Sequence, residues 1–196
     1  KSTYFASIQS LNKLQEENSK YEFARALFIE YFYAGPEFME YVLEFASIAN
    51  NYDKLVAEGT LEDEIKRLQS AQEGFFANYN LALDQAIFNR LTPLYLHYVD
   101  ADLLPAHLDE TWAQSGAKLY SKSLLLNPDK LSAALAKFSK KTAKKIAQDP
   151  AYLYAMSIYK AYFANVADHY KKFVQEEQRL MKIYVEGLLV MFPERK

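Results

Sequence analysis

A chain of 196 residues, 51% hydrophobic and 24% charged, can bury a substantial core, which excludes a disordered segment. Its formal charge of −2 leaves no global field to gather nucleic acid or an acidic membrane, and no apolar run approaches the roughly 20 residues needed to cross a bilayer. With no cysteine, disulfides, thiolate metal sites and a cysteine nucleophile are excluded, and the compartment is left open.

Only 5 Gly and 6 Pro punctuate the chain, so the stretches between turns are long and the expected class is all-α. From Thr3 to about Ala34 the positions Tyr4, Phe5, Ile8, Leu11, Tyr21, Ala24, Leu27, Phe28, Tyr31 and Phe32 recur every three or four residues, one helical face crossed by a polar patch at Glu16 to Lys20. Gly35-Pro36 then predicts a left-handed cap followed by proline in the first turn of a second helix, closing a helical hairpin. Phe38, Tyr41, Val42, Phe45, Ile48, Tyr52, Leu55 and Val56 carry that helix to Gly59. Thr60 with Asp63 reads as a variant capping box opening a third helix with Leu61, Ile65, Leu68, Phe75 and Phe76.

A fourth helix is predicted from about Leu81 to Tyr98 with Ile87, Leu91, Leu94 and Tyr95 inward and a kink or restart at Pro93. Periodicity weakens between Asp100 and Leu126, where Pro105 and Gly116 punctuate and Trp112 lies in a short helical candidate. Asn127 and Ser139 are expected N-caps of two short helices, and Asp149-Pro150 pairs a capping acid with proline at the first helical position. The last helix runs inward through Tyr152, Met156, Tyr159, Phe163, Val166, Tyr170, Phe173, Leu180, Tyr184, Leu188 and Met191. At about 1.5 Å per residue it extends about 60 Å, long enough to act as a spine. The predicted architecture is an irregular antiparallel helical bundle with a long C-terminal spine helix. It forms one domain over residues 1–196, without the repeats of about 30 to 50 residues that mark a solenoid.

Candidate chemistry is thin. The histidines His97, His107 and His169 have Leu94, Leu104 and Val166 three residues before them, so neither an H-E-x-x-H pair nor a Glu-x-x-His element is present and no metal is expected. Ser115-Gly116 lacks the preceding glycine of a nucleophile elbow and reads as a loop. No phosphate-cradling glycine motif occurs, so no nucleotide cofactor is expected. Lys137, Lys140, Lys141, Lys144 and Lys145 form a basic strip, either a solvated face or a means of steering an acidic ligand. Most of the 16 Tyr and 13 Phe occupy inward periodic positions, where core filling is the default over a peptide groove.

Several stretches resemble the helical domain of the bacterial serine exopeptidases that include dipeptidyl-peptidases 7 and 11. They are Gly35-Pro36-Glu37 after a Tyr-rich helix; Phe75-Phe76 with Tyr79-Asn80, Asp84, Leu91 and Leu94-Tyr95; Leu104-Pro105; Asp149-Pro150 with Tyr154, Ser157 and Ile158; and the closing Phe192-Pro193-Glu194-Arg195. The resemblance implies a cap inserted in a chymotrypsin-like double β-barrel that supplies every catalytic residue. Both chain ends then read as excision points, since the chain opens at Lys1 without a signal sequence. It further implies a periplasmic or secreted parent that removes N-terminal dipeptides, with Asp or Glu before the cleaved bond favoured over hydrophobic residues. The partners implied are the barrel of the same chain and peptide substrates.

First and last helices should lie side by side, and surface bared by excision would promote a homodimer. The alternative is a stand-alone interaction module holding a peptide segment in an aromatic groove.

Overall fold

The computed structural model describes residues 2–106, 108 and 116–195. Trp112 with its helical candidate, His107 and Ser115 lie outside the described residues. Helix α1 (Ser2–Phe28) continues into a π-helical turn, Ile29–Tyr33. After the Gly35-Pro36 corner, α2 (Phe38–Tyr41) passes through a 3-10 turn (Val42–Phe45) into α3 (Ala46–Glu58). Then come α4 (Leu61–Phe76), α5 (Leu81–Tyr98), α6 (Gly116–Lys122), α7 (Pro128–Ala136) and α8 (Lys140–Ala147). The spine is α9 (Pro150–Tyr162), a second π-helical turn (Phe163–Ala167) and α10 (Asp168–Met191), closed by a 3-10 turn at Pro193–Arg195. Among the described residues there is no strand, so the chain is all-α.

The helix boundaries have local causes. Asn80, Asn127 and Ser139 each accept a backbone N–H three residues on, and Asp149 accepts from Ala151 and Tyr152 with Pro150 behind it. The expected capping box at Thr60 does not form, because the Thr60 side chain makes no capping bond. Instead Gly59, at φ 71°, ends α3 in the left-handed region, and the Thr60 N–H reaches back to the Leu55 carbonyl. Gly35 is not left-handed, contrary to expectation; among the described residues positive φ occurs at Gly59. Glycine is needed at 35 for space, since a Cβ there would stand 2.3 Å from the Tyr31 carbonyl oxygen. Gly116, read as loop, begins α6, where a Cβ would meet Asn89 Oδ1 at 2.3 Å.

Two predicted interruptions do not break their helices. The polar patch at Glu16 to Lys20 does not break α1, and α5 runs on through Pro93, which faces solvent. The second predicted helix, by contrast, is broken into α2, a 3-10 turn and α3, with a further kink at Asn51 (φ −125°, ψ 23°). Nor does it form a hairpin with α1, for α3 packs on α8 and α4 while α1 packs on α10.

Helix α1 runs antiparallel to the spine: Tyr21 stacks on His169 of α10 with ring centroids 4.5 Å apart, and Phe28 stacks on Tyr162 of α9 at 3.9 Å. The two π-helical turns lie near this seam. An extra residue in a π turn advances the following side chains by about 100° around the helix. Of the two predicted inward positions in the second turn, Phe163 is 47% exposed and Val166 is buried. Phe5, Ile8, Val56, Leu94 and Met191 are likewise outward rather than inward.

The core gathers Phe28, Phe32, Phe38, Phe45, Phe88, Leu68, Leu125, Leu131 and Tyr154. Full burial contributes about 1.5–3 kcal/mol for each side chain of this size. Polar groups pair within it: Tyr31 Oη bonds Thr92 Oγ1 at 2.7 Å and Tyr154 Oη at 2.8 Å. Helix α5 therefore buries Asp84, Phe88 and Thr92 beside the expected Tyr95, with Leu91 half-buried against the core and Leu94 turned outward.

Candidate functional site

The basic strip splits in three dimensions. Lys137 follows α7, and Lys140, Lys141, Lys144 and Lys145 stand exposed on α8, which Ser139 caps. Lys140 Nζ is held by Asp53 at 2.6 Å, and Lys140 and Lys144 line a recess of about 290 Å³ with Asn50, Asn51 and Lys54 of α3. The α8 helix stays seated because Ala143 and Ile146 bury its other face. His97 and His169 are exposed, and His169 is covered on one ring face by Tyr21. Among the described residues, no three His, Asp or Glu side chains converge to hold a metal ion. No helix there is long and apolar enough to cross a membrane.

The corner between α1 and α2 is tied down by a buried carboxylate. Asp84 on α5 is buried, and its carboxylate accepts the Glu37 backbone N–H, the Tyr79 hydroxyl at 2.9 Å and the Tyr120 hydroxyl at 2.7 Å. Burial raises the Asp84 pKa above its ordinary 3.8, against the opposing pull of those donors. Both phenols are pushed up as well, first by burial and then by the Asp84 charge, so they remain donors. One side chain thereby ties α5, α6, the end of α4 and the Pro36 corner together.

A cavity of about 450 Å³ opens against this corner, lined by Tyr33, Gly35, Pro36, Glu37, Glu40, Tyr41, Glu44 and Phe75 among others. The Tyr41 and Phe75 rings lie parallel at 3.8 Å. Arg67 is engaged beside it, bonding the Glu44 carboxylate and carbonyl and both oxygens of Glu64. Sequence reasoning missed this site. Its signal was the run Glu37, Glu40, Glu44 at helical spacing directly after Gly35-Pro36, carboxylates set three and four residues apart.

A different surface lies where α1 begins and α10 ends. Phe5 is 62% and Val190 68% exposed there, with Val185, Leu189, Met191 and Phe192 also outward.

The model of the peptidase S46 family matches residues 1–196. A relative named Asp/Glu-specific dipeptidyl-peptidase, from Flavobacterium psychrophilum, is 27% identical over 140 residues. The aligned part is 71% of this chain and 20% of that relative, so the chain spans a small fraction of the relative's length.

Proposed function

Since the chain belongs to the peptidase S46 family, we propose that it is the regulatory cap domain of a serine dipeptidyl-peptidase that removes N-terminal dipeptides from peptides. The observation that carries the reading is the antiparallel packing of α1 on α10, which brings the first and last helical residues to one end of the domain. Two connections at one end let a rigid bundle swing as a unit over a cleft, excluding water as it closes. The exposed apolar side chains at that end, Phe5, Val185, Leu189 and Val190, are the surface that a β-barrel domain of the same polypeptide would cover. Left bare, the same surface would drive a homodimer.

In this reading the catalytic groups belong to the barrel, the parent works in the periplasm or outside the cell, and Asp or Glu is preferred before the cleaved bond. That preference is supported by the name of the Flavobacterium relative. The exposed Lys141, Lys144 and Lys145 add a positive face suited to steering acidic peptides, whereas Lys140 is paired with Asp53. The cap is preferred over a stand-alone peptide-binding module because so many rings, Phe28, Phe32, Phe38, Phe45 and Phe88 among them, fill the core and cannot line a groove.

The test compares the 196-residue chain with a longer protein that contains it, on fluorogenic dipeptide substrates with acidic or hydrophobic residues before the bond. Turnover by the longer protein alone, faster on the acidic substrates, is expected. Turnover by the 196-residue chain would overturn the reading.

A further inference from the structure

We propose that the two π-helical turns are the halves of one hinge, about which a two-helix arm, residues 2–20 of α1 together with α10, bends against the rest of the domain. Each turn begins at the residue after one member of the Phe28–Tyr162 stack, Ile29 on the first helix and Phe163 on the spine. Because the helices run antiparallel, the turns lie on opposite sides of that stack, and the second turn packs on α1. A rod of two packed helices bends only where both helices yield. An α-helical ladder resists this. A π turn spreads each bond over five residues, as the Ala34 N–H does in reaching the Ile29 carbonyl, and such turns are where helices kink. The stacked rings, 3.9 Å apart and within 2° of parallel, can slide over one another without parting, so they form the pivot.

Packing differs on the two sides of the turns. The hydrophobic core takes its members from Tyr21 onward on α1 and stops at Val166 on the spine. Tyr31 and Phe32, inside the first turn, are buried in it. Past Val166, Phe173 and Leu180 are buried outside this core, and α10 packs chiefly on α1. The arm is thus a packing unit of its own, and a junction between two such units opens more readily than the core of either. Across the junction, Lys20 Nζ reaches Asp102 at 2.9 Å, and the Asn165 side-chain amide donates to the Leu103 carbonyl at 3.3 Å. The turn after α5 therefore touches both helices where the arm leaves the body. The Lys20–Asp102 pair is exposed and screened by salt, so it is a releasable latch on the bend.

The hinge is a property of this chain, while its use in moving a cap over a cleft rests on the cap reading above, so the experiment takes the 196-residue chain without substrate. Amide hydrogen exchange should be about tenfold faster at residues 29–33 and 163–167 than in the adjoining turns of α1, α9 and α10. Since the chain has no cysteine, nitroxide labels can be placed at Lys137→Cys on the body and Glu186→Cys on the arm, both exposed, and the distance distribution between them read by pulsed electron paramagnetic resonance. Deleting Glu30 and Ala164, both exposed, removes the extra residue of each turn and leaves the flanking helix faces in register, so the distribution should narrow. Asp102→Ala should broaden it, as should about 1 M salt acting on the natural protein. Exchange at the turns as slow as in their neighbours, or a distribution that the deletions leave unchanged, would overturn the hinge. A distribution indifferent to both salt and Asp102→Ala would overturn the latch. Hydrogen exchange of the natural protein decides the hinge even where the deletion variant fails to fold.

Discussion

Replacing Asp84 with alanine probes the joint on which the corner depends. The substitution strands three buried or half-buried donors, the Glu37 amide and the Tyr79 and Tyr120 hydroxyls. Each donor left without an acceptor costs about 1–3 kcal/mol, and loss of the buried charge returns part of that, so a net loss of about 4 kcal/mol is expected. At about 2–4 °C per kcal/mol for a chain of this size, the melting temperature should fall by about 8–16 °C. Thermal unfolding followed by far-UV circular dichroism reads this directly.

The pH dependence gives an independent check. Because burial raises the folded pKa of Asp84 above 3.8, the stability it contributes is full below 3.8 and is lost as pH rises through the folded value. The gap between the natural protein and Asp84→Ala should therefore narrow as the pH is raised across that window. A melting temperature lowered by less than about 3 °C, or a gap that widens with pH, would refute the assignment of Asp84 as the joint.

Two further substitutions follow from the geometry. Gly35→Ala should destabilise by at least about 2 kcal/mol, because its Cβ would stand 2.3 Å from the Tyr31 carbonyl oxygen, whereas Gly74→Ala, in open space on α4, should stabilise by about 0.5–1 kcal/mol. Denaturant midpoints of the two variants, moving in opposite directions, check this. Asp149→Ala removes an N-cap and also the acceptor for Ser123 Oγ and the Leu124 and Leu125 amides. It should cost about 3 kcal/mol, against about 1 kcal/mol for the simple cap lost in Asn127→Ala, as read by chemical denaturation.

Much of the helical layout can be read without the tertiary structure. The caps at Asn127, Ser139 and Asp149 depend on one side chain and the amides just after it. The boundaries of α4 and α5, and the stop at Gly59, likewise rest on local chemistry. Thr60 shows the limit of that reading: its hydroxyl could have capped α4, but the backbone wrap at Gly59 orients the turn otherwise. The candidate site was less legible than the fold. The basic strip was visible as five lysines, yet its partner Asp53 lies 87 positions from Lys140. The acidic cavity combines a helical run of glutamates with Phe75 of α4, which no local pattern joins to it.

Composition, periodicity and capping residues thus determined the all-α class and the C-terminal spine, because these depend on interactions within about one turn of helix. Which face each helix buries was decided by the tertiary structure. The buried side of α5 carries Asp84 and Thr92, polar residues that hydrophobic periodicity assigns to solvent. They lie inside because tyrosine hydroxyls brought from elsewhere, Tyr31 to Thr92 and Tyr79 and Tyr120 to Asp84, satisfy them there. Removing a polar group from water is tolerable only where such partners meet it, and that meeting exists only once the helices have packed.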